Sequence, residues 1–398
     1  MTFQRSYLHI VKDRIAMPRM FIHAITGPRQ VGKTTIIRQL TKQIKTPFLY
    51  VTADNVAATS NIWIEQHWEV ARIKLSNSNS NEFLLIIDEI QKIKNWSDAV
   101  KLLWDTDSFN QINLKVILLG SSGLLLQHGL NESLAGRFEL IKIPHWSYNE
   151  MYECFGFTAE QYAWFGAYPG SALLINDEDR WKEYVRDALI EATISKDILM
   201  LIQIEKPALM RQVFEMGVNY SSKILSYNKM LGQLQDAGNT TTIAHYLRLL
   251  DTAGLLTGIP KFYAETYRTK ASTPKWQVKN TGLFSALSSI YFNDIQTDFV
   301  AWGQVIESVI GAHLINMAEE GNYKVFYWRH RNDEVDFVLQ KGDKIIGIEV
   351  KSGQTKATKG MLNFKTKFNP TKLLLVGTSG LLWSEFLKIN PTILFETN

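Results

Sequence analysis

A glycine-rich stretch near the start of the chain has the composition of a phosphate-binding loop. The segment GPRQVGKTT places Gly27 and Gly32 five residues apart, with Lys33 and Thr34 directly after them. Glycines let backbone N–H groups approach phosphate oxygens, the lysine neutralises the β and γ phosphates, and the threonine hydroxyl ligates Mg²⁺. We expect ATP with Mg²⁺ at this loop, in contact with Gly27, Pro28, Arg29, Gln30, Val31, Gly32, Lys33, Thr34 and Thr35.

Two adjacent acids follow a continuous apolar run, FLLIIDEI, farther along the chain. The run predicts a buried strand that ends at Asp88 and Glu89, beside the expected phosphates. Asp88 is then suited to bind Mg²⁺ through water, and Glu89 to orient or deprotonate the attacking water. Adjacent acids also occur at solvated strand ends, but the glycine loop upstream favours the catalytic interpretation.

Three further polar residues are candidates for contacts with the nucleotide. Ser121 and Ser122 follow the apolar run LKVILLG, where either hydroxyl is placed to hydrogen-bond the γ phosphate or the water, and a simple Ser/Gly turn is the alternative. Arg137, in LAGRF, either reaches the phosphates of its own chain or acts as an arginine finger on a neighbouring subunit, which requires a homo-oligomer. An ordinary surface arginine is the other interpretation.

A second group of chemically capable residues lies near the end of the chain. Asp336 is in EVDFVL, and Glu349 and Lys351 follow in GIEVKSG after twelve intervening residues. Side chains two residues apart on a strand share a face, so the spacing predicts a D-x(12)-E-x-K metal site. Its carboxylates, with Glu307 as a further acid, would hold Mg²⁺ or Mn²⁺, and Lys351 would position or activate water for attack on a phosphodiester. Ordinary surface salt bridges are the alternative.

The order of apolar runs predicts an α/β protein with three regions. Runs separated by helical segments at the start predict a parallel sheet covered by helices on both faces. The middle is helix-compatible and contains helix, turn, helix and short strand, the outline of a winged helix. The end mixes a helix with several strands and a hairpin signal. The predicted domains are 1–145, 146–265 and 266–398.

Five motifs occur in order along the chain: GPRQVGKTT, LLIIDEIQK, ILLGSSG, LAGRF and YPG. Together they resemble the AAA-type ATPase family, common in bacteria and archaea, whose members carry a C-terminal domain of unknown function. The resemblance covers essentially the whole chain and implies an AAA+ core, a winged-helix middle and a restriction-endonuclease-like end. The C-terminal acids resemble the PD-(D/E)xK superfamily, although EVD stands here where that motif has a proline.

Composition narrows the compartment and the partners that we expect. The 398 residues carry 43 Lys and Arg against 39 Asp and Glu, a net charge of +4 that is far below a uniformly DNA-gripping surface. Cys154 has no second cysteine to pair with, which indicates a reducing compartment. No apolar run approaches the length of a membrane span. The sequence therefore predicts a cytoplasmic protein with no membrane partner.

The motifs leave two functions open. One is an ATP-dependent switch or motor on DNA or RNA, in which the nucleotide state moves the winged helix and the nuclease-like domain. The other is a signalling or assembly ATPase whose C-terminal domain only binds, and a toxin–antitoxin or defence role fits either. The helix TTTIAHYLRLL offers only His245 and Arg248 as contacts to a DNA groove, so protein packing is as good an interpretation as DNA binding.

Overall fold

The chain is described by a computed structural model and divides into two compact units, Met1–Pro144 and His145–Asn398. No helix in the described part combines the length and the apolar character needed to cross a bilayer. The described residues are 3–54, 61–120, 130, 133–199, 204–234, 238–263, 272–351, 353 and 358–396.

A five-stranded sheet, parallel throughout, is the framework of the first unit. The strands are β1 (Ile22–Thr26), β2 (Phe48–Thr52), β3 (Phe83–Asp88), β4 (Leu114–Leu119) and β5 (Phe138–Lys142). The helices are α1 (Tyr7–Ala16), α2 (Lys33–Thr41), α3 (Asn61–Ser76) and α4 (Trp96–Phe109), with a 3₁₀ turn at Ile90–Lys92. The strand order is β2-β3-β4-β1-β5. The predicted parallel sheet in an α/β domain is confirmed.

Alternate side chains of β3 explain why the sheet is covered on both faces. Leu85 and Ile87 pack into the cluster that contains Trp68 of α3 and Val100 of α4. Leu84 and Ile86 face the other cluster, to which α1 and α2 contribute. Every residue of β1, β3 and β4 is buried, as expected of parallel strands between two helix layers. The edge strand β2 differs, because exposed residues alternate along it.

The strand order places the loop after β1 and the acids after β3 on the same side of the sheet, at the carboxyl ends of the strands. Parallel strands end at the same edge, and only β4 lies between β1 and β3. Neighbouring strands are about 4.8 Å apart, so the two strand ends lie about 10 Å from each other. Ligands of open α/β sheets bind in crevices at this carboxyl edge. The fold thus brings together two motifs that are separated by more than fifty residues in sequence.

The first half of the second unit is helical. Its helices are α5 (Tyr148–Phe155), α6 (Ala159–Phe165), α7 (Glu178–Tyr184), α8 (Pro207–Asn219), α9 (Tyr227–Leu231) and α10 (Thr240–Thr252). A 3₁₀ helix covers Pro169–Leu174, and π-helical turns cover Val185–Glu191 and Thr193–Leu199. The antiparallel strands β6 (Leu256–Ile259) and β7 (Lys275–Val278) follow.

The predicted sequence of helix, turn, helix and strand corresponds to α9, α10 and β6, and its assignment as a winged helix stays a prediction. The TTT run at Thr240–Thr242 predicts a threonine cap for α10, but the structure places the cap one residue earlier. Asn239 is the cap, because its Oδ1 accepts a hydrogen bond from the Thr242 backbone N–H at 2.9 Å. Asparagine is among the best N-cap residues, and the threonines form the first turn of the helix.

The second half of this unit is a four-stranded mixed sheet with helices. Its helices are α11 (Gly282–Leu287), α12 (Phe292–Ile295), α13 (Phe299–Ala318), α14 (Lys359–Phe368) and α15 (Trp383–Phe386), and a 3₁₀ helix covers Pro391–Phe395. Its strands are β8 (Lys324–His330), β9 (Asp333–Lys341), β10 (Lys344–Lys351) and β11 (Lys372–Gly377). The order is β11-β10-β9-β8, and only the β10–β11 pair is parallel. The long helix α13 packs against β7, β8 and β10.

Candidate functional site

The glycine loop has a backbone that its two glycines make possible. Gly27 has φ 153° and Gly32 has φ 93°, which side chains rarely allow. A Cβ at Gly27 would lie 2.1 Å from the Ile143 carbonyl oxygen, so the loop passes too close to β5 for any larger residue. Helix α2 begins at Lys33, directly after the loop, and its N-terminal N–H groups make this end favourable for an anion.

Lys33 folds back over the loop that precedes it. Its Nζ donates hydrogen bonds to the carbonyl oxygens of Gly27 and Pro28, both at 2.8 Å, and the residue is 9% exposed. The ammonium group is therefore held beside the backbone that would surround a phosphate. Arg5 also holds the loop in place, since its Nη1 donates a hydrogen bond to the carbonyl oxygen of Val31 at 2.9 Å.

Asp88 accepts hydrogen bonds on both carboxylate oxygens. Its Oδ2 accepts from Thr34 Oγ1 at 3.4 Å and from the Tyr50 hydroxyl at 2.5 Å, and its Oδ1 accepts from the Glu89 backbone N–H at 2.9 Å. Burial, with the hydrogen bond to Asp88, raises the pKa of Tyr50 well above its usual range. The Thr34 hydroxyl and the Asp88 carboxylate are close enough to share a cation, and oxygen ligands of this kind suit Mg²⁺. The two residues therefore fit the predicted metal role.

Glu89 has a left-handed backbone with φ 55°, which is uncommon for a residue with a side chain. Gln91 Nε2 donates a hydrogen bond to Glu89 Oε2 at 2.7 Å, and Gln91 itself is 6% exposed. The positive φ turns the chain sharply after β3, so that Asp88 and Glu89 leave the strand in different directions. Tyr50 and Gln91 were not found from the sequence, although Gln91 lies within the quoted motif LLIIDEIQK.

The other predicted nucleotide contacts are placed differently. Ser121 and Ser122 lie outside the described residues. Arg137 precedes β5 at the opposite edge of the sheet, where its carbonyl oxygen accepts from the Ile22 N–H. A five-residue strand separates this edge from the glycine loop by about 16 Å. Its guanidinium donates to both Asp105 carboxylate oxygens at 2.7 and 2.9 Å. The structure therefore does not bring Arg137 to the phosphates of its own chain, and the arginine-finger role stays a prediction.

The predicted C-terminal residues come together on adjacent strands. Asp336 of β9 and Glu349 of β10 lie one position beyond the paired residues Phe337 and Ile348. Lys351 Nζ lies 2.9 Å from Glu349 Oε1 and 3.7 Å from Asp336 Oδ2. The Val350 N–H donates to the same Asp336 oxygen at 2.8 Å.

A lysine that was not singled out from the sequence joins this group, which we call the carboxylate cluster: Lys275, Glu307, Asp336, Glu349 and Lys351. Lys275 of β7 is completely buried. Its Nζ donates to Glu307 Oε1 at 2.5 Å and to the Asp336 carbonyl oxygen at 3.1 Å, and lies 3.9 Å from Asp336 Oδ1. No linear motif marks Lys275, which is the first residue of the short strand KWQV.

Burial dominates the electrostatics of the carboxylate cluster. Desolvation and the neighbouring Asp336 raise the pKa of Glu349 to about 7, and desolvation raises that of Glu307 to about 7 against the opposing charge of Lys275. Desolvation lowers the pKa of Lys275, but the carboxylates of Glu307 and Asp336 outweigh it, and the net pKa is raised. The lysine therefore stays charged.

Oxygen Oε2 of Glu349 is buried without a hydrogen-bond partner among the described residues. An orphaned carboxylate oxygen next to Asp336 fits a cation ligand. Across the described ranges, however, no three acidic, histidine or cysteine side chains are arranged as a metal-binding group. The pair Asp336 and Glu349 thus fits a predicted metal, while Glu307 is engaged by Lys275.

Comparison with protein families agrees with the geometry of the first unit. Residues 20–152 match a family model described as an AAA domain. Residues 157–294 and 302–383 match two models described as domains of unknown function, DUF8612 and DUF4143 respectively. The loop, the acids after β3 and the sheet define an AAA-type P-loop domain, the class of ATPase-type nucleotide-binding domains.

Relatives along most of the chain carry the name of uncharacterised proteins. One from Mycobacterium tuberculosis is 25% identical over 346 residues, which is 86% of this chain and 73% of the relative. One from Methanocaldococcus jannaschii is 24% identical over 80% of this chain and 72% of its own, and one from Haemophilus influenzae is 22% identical over 90% and 89%. A solved structure titled "Structural Basis for Katanin Self-Assembly" is 21% identical over 37% of this chain and 48% of that one, with a TM-score of 0.27.

Proposed function

We propose that the protein hydrolyses ATP at the glycine loop of its first unit. The observation that carries the proposal is the convergence of Lys33, Thr34, Asp88 and Glu89 at one edge of the sheet, around a loop whose backbone only glycine permits. An AAA domain over the same residues supports it.

Each residue of this site has a defined task in the proposed reaction. The N–H groups at the start of α2 and the Lys33 ammonium bind the phosphates, exchanging carbonyl contacts for phosphate oxygens. Thr34 and Asp88 would hold Mg²⁺, which neutralises charge on the phosphates when it is bound. Glu89 orients the attacking water and takes its proton. Gln91 fixes the position of the Glu89 carboxylate before the reaction.

The test separates binding from hydrolysis. Glu89→Gln should retain affinity for a fluorescent ATP analogue in the presence of Mg²⁺ while the turnover rate falls by about 10²–10⁴-fold, the range of a general base. Glu65→Gln, at an exposed position of α3, is the matched control and should hydrolyse ATP like the unsubstituted protein. Equal turnover in both variants would contradict the assignment of Glu89.

We further propose that the carboxylate cluster is a metal-dependent phosphodiester hydrolase site for DNA or RNA, coupled to ATP. Its support is the approach of Lys351 to both Asp336 and Glu349, together with the unpartnered oxygen of Glu349. In this reading residues 1–145, 146–265 and 266–398 act as ATPase, winged-helix and restriction-endonuclease-like domains. Asp336 and Glu349 would hold Mg²⁺ or Mn²⁺, and Lys351 would orient water.

Cleavage assays decide between this proposal and a signalling or assembly ATPase with a non-catalytic C-terminal module. Labelled single-stranded and duplex DNA and RNA are incubated with the full chain and Mg²⁺ or Mn²⁺, with and without ATP. Cutting that Asp336→Asn abolishes would support the nuclease. A protein that hydrolyses ATP yet neither binds nor cuts nucleic acid would favour the alternative. Mixing Arg137→Ala with Glu89→Gln chains tests the arginine finger, because the intact Arg137 of a Glu89→Gln chain would restore turnover at the site of an Arg137→Ala neighbour only in an oligomer.

A further inference from the structure

The buried ammonium of Lys275 lies among oxygen atoms of Glu307 and Asp336, in surroundings that would also suit a metal ion. Its Nζ is bordered by oxygens, Glu307 Oε1 at 2.5 Å, the Asp336 carbonyl at 3.1 Å and Asp336 Oδ1 at 3.9 Å. The ring of Phe337 covers another side at 4.6 Å from its centroid. A fully buried charge is tolerated only when it is paired and hydrogen-bonded, and these contacts meet that condition.

The carboxylate cluster divides into two cation positions. The first lies between Glu307 and Asp336 and contains the Lys275 ammonium. The second lies between Asp336 and Glu349, where Glu349 Oε2 is buried and unpartnered among the described residues. The Lys351 ammonium borders this second position, 2.9 Å from Glu349 Oε1 and 3.7 Å from Asp336 Oδ2. Its side chain is 35% exposed, unlike that of the fully buried Lys275, so it has room to move toward solvent when a metal ion binds.

The charges of the cluster agree with one further cation. Three carboxylates, Glu307, Asp336 and Glu349, face the two ammonium groups of Lys275 and Lys351, which leaves one negative charge uncompensated when all five groups are ionised. One divalent cation would bring these five groups to a net charge of +1, whereas two would bring them to +3. Lys275 and a metal ion between Glu307 and Asp336 also exclude each other by volume, because both need the same oxygens.

We propose that the Lys275 ammonium permanently fills one of two cation positions, so that the carboxylate cluster takes a single divalent cation, between Asp336 and Glu349. The inference rests on the metal-binding part of the nuclease function proposed above. It makes Lys275 a positioning residue that fixes Asp336 through its backbone and its carboxylate. Chemistry at this site would use one metal ion with Lys351, and not a pair of ions.

Mn²⁺ alone is the probe, and free Mn²⁺ is counted by electron paramagnetic resonance with the full chain and no nucleotide. Four proteins are compared: the unsubstituted chain, Lys275→Met, the charge-balanced pair Lys275→Met with Glu307→Gln, and the pair Asp336→Asn with Glu349→Gln. Because the glycine loop is the same in all four, differences in stoichiometry report the carboxylate cluster. We expect the unsubstituted chain to bind one Mn²⁺ more than the Asp336/Glu349 pair, and Lys275→Met to bind one more again.

The charge-balanced variant should return to the count of the unsubstituted chain, since it lacks the Glu307 carboxylate. If Lys275→Met folds and binds no more Mn²⁺ than the unsubstituted chain, the proposal is overturned. If Lys275→Met is unfolded without metal, Mn²⁺ should restore its cooperative thermal unfolding; no restoration, with the charge-balanced variant folded, also overturns it.

The same series distinguishes this inference from the nuclease proposal. If the stoichiometry agrees with expectation but no nucleic acid is cut, Lys275 keeps its assignment and the nuclease function fails. If the unsubstituted chain binds no Mn²⁺ beyond the Asp336/Glu349 pair, the single-cation assignment is overturned together with the metal-dependent nuclease.

Discussion

The glycine loop and the carboxylate cluster each hold a nearly buried lysine, but the lysines have different partners. Lys33 donates to two backbone carbonyls, which carry only partial charge, so its ammonium keeps most of its attraction for an anion. Lys275 donates to the Glu307 carboxylate and lies beside a second one on Asp336. Burial of a lysine therefore does not by itself predict an anion site. The charge of the atoms that hold the lysine decides whether it binds a ligand or compensates the protein's own acids.

Replacing the lysine of the glycine loop should strongly reduce ATP turnover. Lys33→Met is expected to lower ATP turnover by about 10²–10³-fold, because a charged donor to the developing phosphate charge is lost. Loss of its hydrogen bonds to the Gly27 and Pro28 carbonyls should lower the unfolding free energy in urea by about 1–3 kcal/mol, less than the loss of a buried counter-charge. Lys42→Met, at an exposed lysine just beyond α2, is the control. Normal turnover in Lys33→Met would contradict the assignment of Lys33 as a phosphate-binding lysine.

Replacing the lysine of the carboxylate cluster should instead destabilise the fold. Lys275→Met leaves the acids Glu307 and Asp336 without their buried counter-charge, and breaking such a pair costs about 3–5 kcal/mol. The measurement is urea unfolding at neutral pH without divalent cations. Lys365→Met, on the exposed face of α14, should change stability by less than about 0.5 kcal/mol. A loss below about 1 kcal/mol for Lys275→Met would show that the cluster does not depend on this charge.

The two sites also differ in how far the sequence predicts them. The glycine loop is local: its backbone, Lys33 and the first turn of α2 come from one segment, so spacing alone describes it. Asp88 could be placed as well, because a buried apolar run ends at a predictable edge of a parallel sheet. Asp336, Glu349 and Lys351 were found because strand pairing brings neighbouring strands together.

Residues contributed by other elements were missed. Lys275 reaches the carboxylate cluster from β7, about 60 residues before Asp336, and Tyr50 reaches Asp88 from β2. Neither has a spacing relation to its partners, because the packing of whole elements creates the contact. The same limit explains Arg137: its motif was recognised, but its place at the far edge of the sheet follows from the register of β5 with β1.

His313 is a buried neutral side chain on α13, the helix that carries Glu307. Its Nε2–H donates to the Ile389 carbonyl oxygen at 3.0 Å, and burial lowers the pKa of His313 to about 4. The unfolded chain, with a pKa near 6.5, binds the proton first as the pH falls. The contribution of His313 to the unfolding free energy should therefore be lost between about pH 6.5 and 4, by about 1.4 kcal/mol at pH 5.5 relative to neutral pH. Glu307 and Glu349, whose pKa values are raised to about 7, act in the opposite direction over this range.

Urea unfolding at pH 7.5 and 5.5 measures this loss. Between pH 7.5 and 5.5, the unfolding free energy of His313→Gln, which does not titrate, should change by about 1.4 kcal/mol less toward instability than that of the unsubstituted protein. His245→Gln, at an exposed position of α10, should change as the unsubstituted protein does. Identical pH dependence in both variants would mean that protonating His313 does not lower the unfolding free energy, although this buried histidine lacks the acidic neighbours that keep Lys275 charged.

Removing the Tyr50 hydroxyl should have a small effect on the Mg²⁺ dependence of ATP turnover. The Tyr50 hydroxyl donates to the same Asp88 oxygen as Thr34, and this hydrogen bond orients the carboxylate toward the expected Mg²⁺ position. Tyr50 is 38% exposed, so its loss should cost about 1 kcal/mol. Tyr50→Phe should raise the Mg²⁺ concentration for half-maximal ATP turnover by about 3–10-fold and leave metal-free nucleotide binding unchanged. Phe48 is on the same edge strand, and Phe48→Leu is the matched control; a Mg²⁺ shift of equal size there would assign the effect to packing of β2 and not to the hydroxyl.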